Sequence, residues 1–155
     1  MKGLGTALIT PFTKEGKVDF EALGQLIEHQ VAGGTDYLVV LGTTSEVPTL
    51  SHKEQEEIIA FVVKQVAGRM PLVLGIGGNS TAAVVEKIEG WKDILAEHFA
   101  AILSVTPYYN RPQQEGLYLH FCEIAKASPV PMILYNVPKR TGVNMLPETT
   151  RRIYD

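Results

Sequence analysis

The sequence predicts an α/β fold in which parallel strands alternate with covering helices. Short, uninterrupted apolar runs recur along the chain, separated by stretches that carry apolar residues at helical spacing. The apolar runs do not alternate with polar residues, which is typical of parallel strands buried on both faces. No linker, low-complexity tract or block of charge divides residues 1–155, so one domain is expected.

The elements follow one another as five successive strand–helix pairs. Asp19 is expected to cap the first helix, which Gly33 ends, and Ser51 with Glu54 forms a capping box on the second. Pro147 stands at the first turn of a fifth helix. The predicted strands are 4–9, 37–41, 72–76, 101–105 and 132–134, and the other helices are 20–31, 51–68, 81–95 and 113–126. An open doubly wound sheet and a (β/α)8 barrel share this pattern.

Composition excludes several classes of function. A net charge of −3 offers no basic surface for nucleic acid. No apolar run is long enough to cross a bilayer, and the first residues, MKGLGTALITPF, do not read as a secretory signal. The one cysteine, Cys122, fits a reducing compartment and is expected to be buried and inert. A cytoplasmic protein without membrane or nucleic-acid partners is the expectation.

Polar residues collect where each predicted strand ends. These strand-end groups are Thr10 and Pro11; Gly42, Thr43, Thr44, Ser45 and Glu46; Gly77, Gly78, Asn79 and Ser80; Thr106, Tyr108, Tyr109 and Asn110; and Tyr135, Asn136, Arg140 and Thr141. Because the carboxyl ends of parallel strands point to one face, a single mouth is expected to hold them. The four histidines, His29, His52, His98 and His120, fall on predicted helices, where solvated or packing roles are expected.

The chemistry of these groups leaves alternatives open. A glycine and two threonines at a strand-to-helix turn can cradle a small carboxylate or phosphate, or merely cap a helix. The paired tyrosines could be packed aromatics or a hydroxyl relay for protons. Arg140 can clamp a carboxylate through two parallel hydrogen bonds, which Lys139 does less well. The loop GIGGNS lacks the third glycine of a dinucleotide fingerprint, so a nucleotide site is discounted there.

Three motifs, GTTSE, TPYYNRPQQEGLYLHF and YNVPKRTG, resemble the dihydrodipicolinate synthase family in order and spacing. These pyruvate-dependent class I aldolases also include N-acetylneuraminate lyase. The resemblance runs from about Gly3 to the last residue and implies a (β/α)8 barrel, of which 1–155 is the amino-terminal portion of a single domain. It further implies a tetramer built from tight dimers and no cofactor or metal. The implied activity is condensation of pyruvate with aspartate semialdehyde through a Schiff base, in lysine and diaminopimelate biosynthesis.

The resemblance also implies roles for individual residues. Thr43 and Thr44 would hold the pyruvate carboxylate, and Tyr135 would be the acid/base phenol beside the Schiff base. Tyr109 would reach into the partner's site and complete a Thr43–Tyr135–Tyr109 relay. Arg140 would bind the carboxylate of aspartate semialdehyde; the Arg-Thr-Gly run and GTT rather than GST favour the synthases over the sialic-acid lyases.

Three departures from the family pattern qualify this picture. Ser45 stands where the family usually has glycine, so a positive φ there would add about 1 kcal/mol of strain. His52, Asn79 and Tyr108 match a lysine-feedback site, but the surrounding substitutions argue against feedback inhibition. These substitutions are Val47, Pro48, Gln55 and Ala83. No lysine among the nine follows an apolar strand except Lys139, which lies in the loop beside Arg140. The resemblance implies that the Schiff-base lysine lies on a sixth strand, beyond residue 155.

Three hypotheses follow. In the first, the chain is the amino-terminal part of a synthase and is inactive without the missing amine. In the second, it is a non-catalytic partial barrel that associates through its exposed strand edges or with another subunit. The third, an open-sheet phosphate- or nucleotide-binding module, rests only on the glycine loops.

Overall fold

The computed structural model describes residues 1–155 and has the α/β architecture that the sequence predicts. Its five strands are β1 (Gly5–Ala7), β2 (Tyr37–Val40), β3 (Leu72–Gly75), β4 (Ala101–Val105) and β5 (Met132–Tyr135). Its helices are α1 (Phe20–Ala32), α2 (His52–Val66), α3 (Thr81–Gly90), α4 (Lys92–His98), α5 (Gln114–Ala127), α6 (Pro138–Thr141) and α7 (Pro147–Tyr154). None of these helices combines the length and apolar character that a bilayer span requires.

The contacts of the chain fall into two compact units. The first comprises Met1–Gly75 with His98–Ala100, and the second comprises Ile76–Glu97 with Ala101–Asp155. The first unit holds β1, β2 and β3 with α1 and α2, and the second holds β4 and β5 with the later helices.

In the first unit, β2 pairs in parallel with both β1 and β3. The register sets Gly5 beside Tyr37 and Leu38 beside Leu72. A Cβ at Gly5 would collide with the Tyr37 ring, so the absence of a side chain lets that ring lie across β1. Of the three residues of β1, Gly5 is thus the one whose small size the neighbouring strand requires.

The prediction that the strands are buried on both faces is wrong for β5, where no residue is fully buried and Ile133 is 37% exposed, and for β2. Leu38 and Val40 are buried, whereas Tyr37 and Val39, which point the other way, are half-buried. The sequence of β2 is apolar on both sides, yet only one side is fully covered in this chain.

Helices α1 and α2 of the first unit have the predicted caps. The Asp19 carboxylate accepts from the Ala22 N–H over 2.9 Å, and α1 ends at Gly33. Ser51 and Glu54 form the capping box of α2, in which each side chain satisfies the other's backbone N–H. The two helices contact each other, with the rings of Phe20 and Phe61 5.1 Å apart. Their buried apolar residues include Leu23, Ile27, Ile58, Ile59 and Val62.

In the second unit, β4 and β5 pair in parallel, with Ile102 beside Met132 and Val105 beside Tyr135. Helix α5 packs against α3 and α7. The core of this unit consists of fully buried apolar side chains, among them Ile88, Leu95, Ile102, Leu117, Phe121 and Ile124.

The single third helix predicted over 81–95 is wrong, because the structure has two helices there. Helix α3 ends at Gly90, a weak helix former, and Trp91 adopts a non-helical conformation. The Trp91 N–H donates to the carbonyls of Lys87 and Ile88, and its side chain is buried. Helix α4 then begins at Lys92.

Candidate functional site

The GTTSE segment follows β2 in the first unit and forms a 3-10 turn over Thr43–Ser45. Leu41 turns the chain into it with a left-handed backbone, φ 53°. A Cβ at Gly75 would collide with the Leu41 carbonyl, so glycine at the end of β3 permits that turn. Thr43 and Thr44 are exposed, so their hydroxyls are accessible to a small ligand.

Ser45, the third residue of this turn, is buried and doubly tied to the end of β1. Its hydroxyl donates to the Leu8 carbonyl over 2.7 Å, and the Thr10 hydroxyl donates to the Ser45 carbonyl over 2.8 Å. These two bonds fix the threonine turn against the first strand. The role of Thr10, which the sequence offered only as a strand-end hydroxyl, is therefore to hold that turn.

The condition under which Ser45 would be strained, a positive φ, is not met. The left-handed residue of this loop is Glu46, with φ 56°, and not Ser45. Because Ser45 lies in ordinary 3-10 backbone, a side chain there carries no left-handed penalty. The buried hydroxyl instead adds one hydrogen bond, to the Leu8 carbonyl, that glycine could not make.

In the second unit, the loops after β4 and β5 enclose an open cleft of about 690 Å³. Its lining residues are Tyr108, Tyr109, Arg111, Lys139, Arg140, Thr141 and Gly142. The structure thus brings together the predicted Tyr108, Tyr109 and Arg140. It adds Arg111, which the sequence did not single out, and Lys139, which was considered only as a poorer carboxylate clamp than Arg140. Arg111 and Lys139 could have been identified from the sequence, because the runs Asn-Arg-Pro and Pro-Lys-Arg follow two successive strands.

The loop that carries the paired tyrosines has unusual backbone geometry. Tyr109 and Arg111 are both left-handed, with φ 74° and 45°, a conformation that non-glycine residues rarely adopt. Between them, the Asn110 amide donates to the Asn79 carbonyl over 2.9 Å. The loop presents the Tyr109 ring 91% exposed and the Tyr108 ring 41% exposed.

The loop after β5 contains the short helix α6. Asn136 closes it: its amide donates to Asn144 Oδ1 (2.8 Å) and to the Met145 carbonyl (3.2 Å), and its Oδ1 accepts from the Met145 N–H (3.1 Å). Gly142 ends α6 with φ 74°. Asn136 therefore shapes the loop that presents Arg140, rather than facing a ligand.

The remaining predicted site residues lie in different parts of the chain. Tyr135 is the last residue of β5 and half-buried, outside the lining of the cleft. His52 begins α2 in the first unit and lies 3.4 Å from Glu56. Asn79 lies exposed before α3 in the second unit. The second unit contains two of the residues proposed for lysine feedback, Asn79 and Tyr108, and two proposed for the proton relay, Tyr109 and Tyr135.

The structure buries one of the four histidines, His120. His120 on α5 is buried, and its Nδ1 shares a 2.8 Å hydrogen bond with the Thr81 hydroxyl on α3. Its Nε2 has no hydrogen-bond partner, and burial lowers the pKa of His120 to about 4. The packing role predicted for it is confirmed. Cys122, expected to be buried, is only half-buried on the same helix.

The model of the dihydrodipicolinate synthetase family matches residues 1–155. The 4-hydroxy-tetrahydrodipicolinate synthase of Parabacteroides distasonis is 59% identical over 153 residues, which are 99% of this chain and 50% of that protein.

The chain belongs to the dihydrodipicolinate synthetase family. Dihydrodipicolinate synthase from Aquifex aeolicus has a TM-score of 0.91 and 44% identity, covering 99% of this chain and 51% of that one. The chloride-inhibited enzyme from Acinetobacter baumannii, complexed with pyruvate, has a TM-score of 0.93 and 42% identity over 99% and 52%. The predicted fold class, an α/β chain of the (β/α)8 barrel family with about five strand–helix units, is confirmed. The chain spans about half the length of the curated relatives it matches.

Proposed function

We propose that this chain is the amino-terminal part of a 4-hydroxy-tetrahydrodipicolinate synthase. The whole enzyme would condense pyruvate with aspartate semialdehyde through a Schiff base, as a cytoplasmic step of lysine biosynthesis. The observation that carries the proposal is the cleft after β4 and β5, where Arg140 stands beside two phenols. Membership of the dihydrodipicolinate synthetase family supports the same activity.

The cleft suits an aldehyde that carries a carboxylate. Arg140 is exposed in it, and its planar guanidinium can bind a carboxylate through two parallel hydrogen bonds. Arg140→Gln in the active enzyme should raise the KM for aspartate semialdehyde about 10- to 100-fold, which corresponds to the loss of one charge-assisted hydrogen-bonded pair. The KM for pyruvate should stay within about twofold, which separates the two substrate subsites.

Pyruvate is assigned to the threonine turn of the first unit. The exposed Thr43 and Thr44 would donate hydroxyl hydrogen bonds to its carboxylate, on a turn that the buried Ser45 and Thr10 hold in place. Thr43, Tyr135 and Tyr109 would pass protons, with Tyr109 contributed to the site of a partner subunit. The 91% exposure of the Tyr109 ring supports that last role, since the ring has almost no cover within its own chain.

The lysines explain why this chain alone is expected to be inactive. A Schiff-base lysine must lie at a strand end and be desolvated so that its amine is neutral. No lysine lies on β1–β5, and eight of the nine, all except Lys87, are exposed. Burial lowers the pKa of Lys87, but this residue lies on α3 beside the Trp91 ring and not at a strand end.

Borohydride trapping with labelled pyruvate tests this assignment. Residues 1–155 alone should incorporate no label, whereas a product extended through the next strand should incorporate one equivalent. Peptide mapping then locates the adduct. A stable adduct on residues 1–155, above all on Lys139, would show that the nucleophile is misassigned, and absence of label in the extended product would contradict the proposed activity.

A second candidate is a non-catalytic partial barrel that associates through the apolar surface around β1. Leu4 and Ile9 flank that strand with exposures of 63% and 52%, and Phe12 is 37% exposed. Exposed apolar clusters of this kind mark interaction surfaces. Analytical ultracentrifugation decides: a concentration-independent monomer contradicts association, and a dimer that Ile9→Lys disrupts supports it. The proposed tetramer of the whole enzyme and the lysine-feedback role of His52, Asn79 and Tyr108 are separate proposals.

A further inference from the structure

The cleft after β4 and β5 carries more positive charge than one carboxylate requires. Arg111, Lys139 and Arg140 all line it, and no carboxylate does. Several lysines and arginines elsewhere on the chain pair with acids, as in Lys126–Glu123 and Arg152–Glu115. Arg111, Lys139 and Arg140 form no such ion pair.

The fold holds these like charges together. Lys139 and Arg140 are adjacent on the short helix α6, which Gly142 ends. The Arg111 guanidinium, from the other loop, lies against the backbone of Gly142: a Cβ there would be 2.9 Å from its Nε. The Arg111 guanidinium thus occupies the space that a side chain at Gly142 would fill, and all three cations line one cleft.

We infer that this cleft binds a small dicarboxylate, with Arg111 and Lys139 supplying the charge that a second carboxylate needs. The inference rests on the proposed function, because Arg140 is the residue assigned there to the semialdehyde carboxylate. The guanidinium groups of Arg111 and Arg140 can each bind one carboxylate through two parallel hydrogen bonds. The Lys139 ammonium acts as a point charge that attracts either carboxylate. Tyr108 adds a phenolic donor to the cleft.

The charge balance also distinguishes the acids that fit. Aspartate semialdehyde carries an ammonium group, which three cations repel, whereas a dicarboxylate without an amine meets only attraction. Such a diacid would occupy the space proposed for the semialdehyde and exclude it. Because the three cations are exposed, the attraction should weaken as salt is added.

Calorimetric titration tests the inference with malonate, succinate, glutarate and propionate at fixed ionic strength. At least one diacid should bind about 10-fold more tightly than propionate. Lys139→Gln and Arg111→Gln should each weaken diacid binding about 3- to 5-fold, as expected for an exposed charge, and leave propionate within about twofold. Lys64→Gln, which removes an exposed lysine on α2, is the matched control and should change neither. Circular dichroism checks the fold of each variant, and Lys139→Gln suffices if the Arg111 variant does not fold.

Three outcomes overturn the inference. They are diacids that bind no more tightly than propionate, an unchanged diacid affinity in Lys139→Gln, and inorganic phosphate that binds more tightly than every diacid. A fourth variant keeps the proposed function separate. Arg140→Gln should weaken both propionate and aspartate semialdehyde; if it weakens neither, the substrate assignment of Arg140 is wrong whatever the diacids do.

Discussion

The Ser45 hydroxyl donates a 2.7 Å hydrogen bond to the Leu8 carbonyl in a buried position, which ties the threonine turn to the first strand. We expect Ser45→Ala and Ser45→Gly each to lower the free energy of unfolding by about 1–3 kcal/mol, because the Leu8 carbonyl is left unsatisfied. Thr49→Ala is the control, since Thr49 makes a similar bond to Glu46 in an exposed position. Urea denaturation measures all three, and a Ser45→Gly variant as stable as the parent would contradict this role.

Gly142 should be required for the position of Arg111 as well as for its own backbone. Gly142→Ala and Gly16→Ala share a left-handed φ, 74° and 76°, so each should cost about 1–2 kcal/mol of unfolding free energy. Only at Gly142 does the new methyl group meet a neighbour, the Arg111 guanidinium. Succinate affinity, measured by calorimetry, should therefore fall in Gly142→Ala and stay unchanged in Gly16→Ala. Equal affinities in the two variants would argue against the contact.

His120 should make stability depend on pH. Its folded pKa of about 4 lies below the unfolded value of 6.5, so the unfolded chain takes up a proton first as the pH falls. The contribution of His120 to the free energy of unfolding is fully present above pH 6.5. It is lost as the pH falls toward 4, by an amount on the order of 3 kcal/mol. Denaturant titrations across this range should show a steeper loss in the parent than in His120→Asn.

The asparagine in that variant can still bond the Thr81 hydroxyl, so the comparison isolates the titration from the hydrogen bond. His29→Asn, at an exposed position on α1, should retain the steep dependence of the parent. Parallel curves for His120→Asn and the parent would exclude His120 as the cause.

Asn136 should set the shape of the loop that presents Arg140. Asn136→Asp keeps the acceptor for the Met145 N–H but loses both donated hydrogen bonds, to Asn144 and Met145. We expect a loss of about 1–3 kcal/mol in unfolding free energy, measured by urea denaturation. Asn79→Asp is the matched control, because the exposed Asn79 contributes only its backbone carbonyl to the contact with Asn110. Equal effects at the two positions would contradict the structural role of Asn136.

The sequence by itself determined the elements and their kind. Periodicity and capping residues such as Asp19, Ser51 and Pro147 located the helices, because these signals are local and act within one turn. The three motifs identified the family, and the strand-end rule assembled Tyr108, Tyr109 and Arg140 as site residues. Local signals also failed locally: Gly90 and Trp91 divide one predicted helix into two because the buried indole overrides the continuing periodicity.

Only the tertiary structure decided what depends on residues distant in the chain. The Ser45 hydroxyl bonds to the carbonyl of Leu8, 37 positions away, while Glu46 and not Ser45 takes the left-handed backbone. Arg111 lies against Gly142 because two strand-end loops meet, a contact that spacing within either loop does not encode. Charge count, likewise, says nothing of which cations share a cleft. Sequence patterns indicate the local backbone conformation that a few consecutive residues favour. Burial and side-chain pairing depend instead on residues that folding brings together from distant parts of the chain.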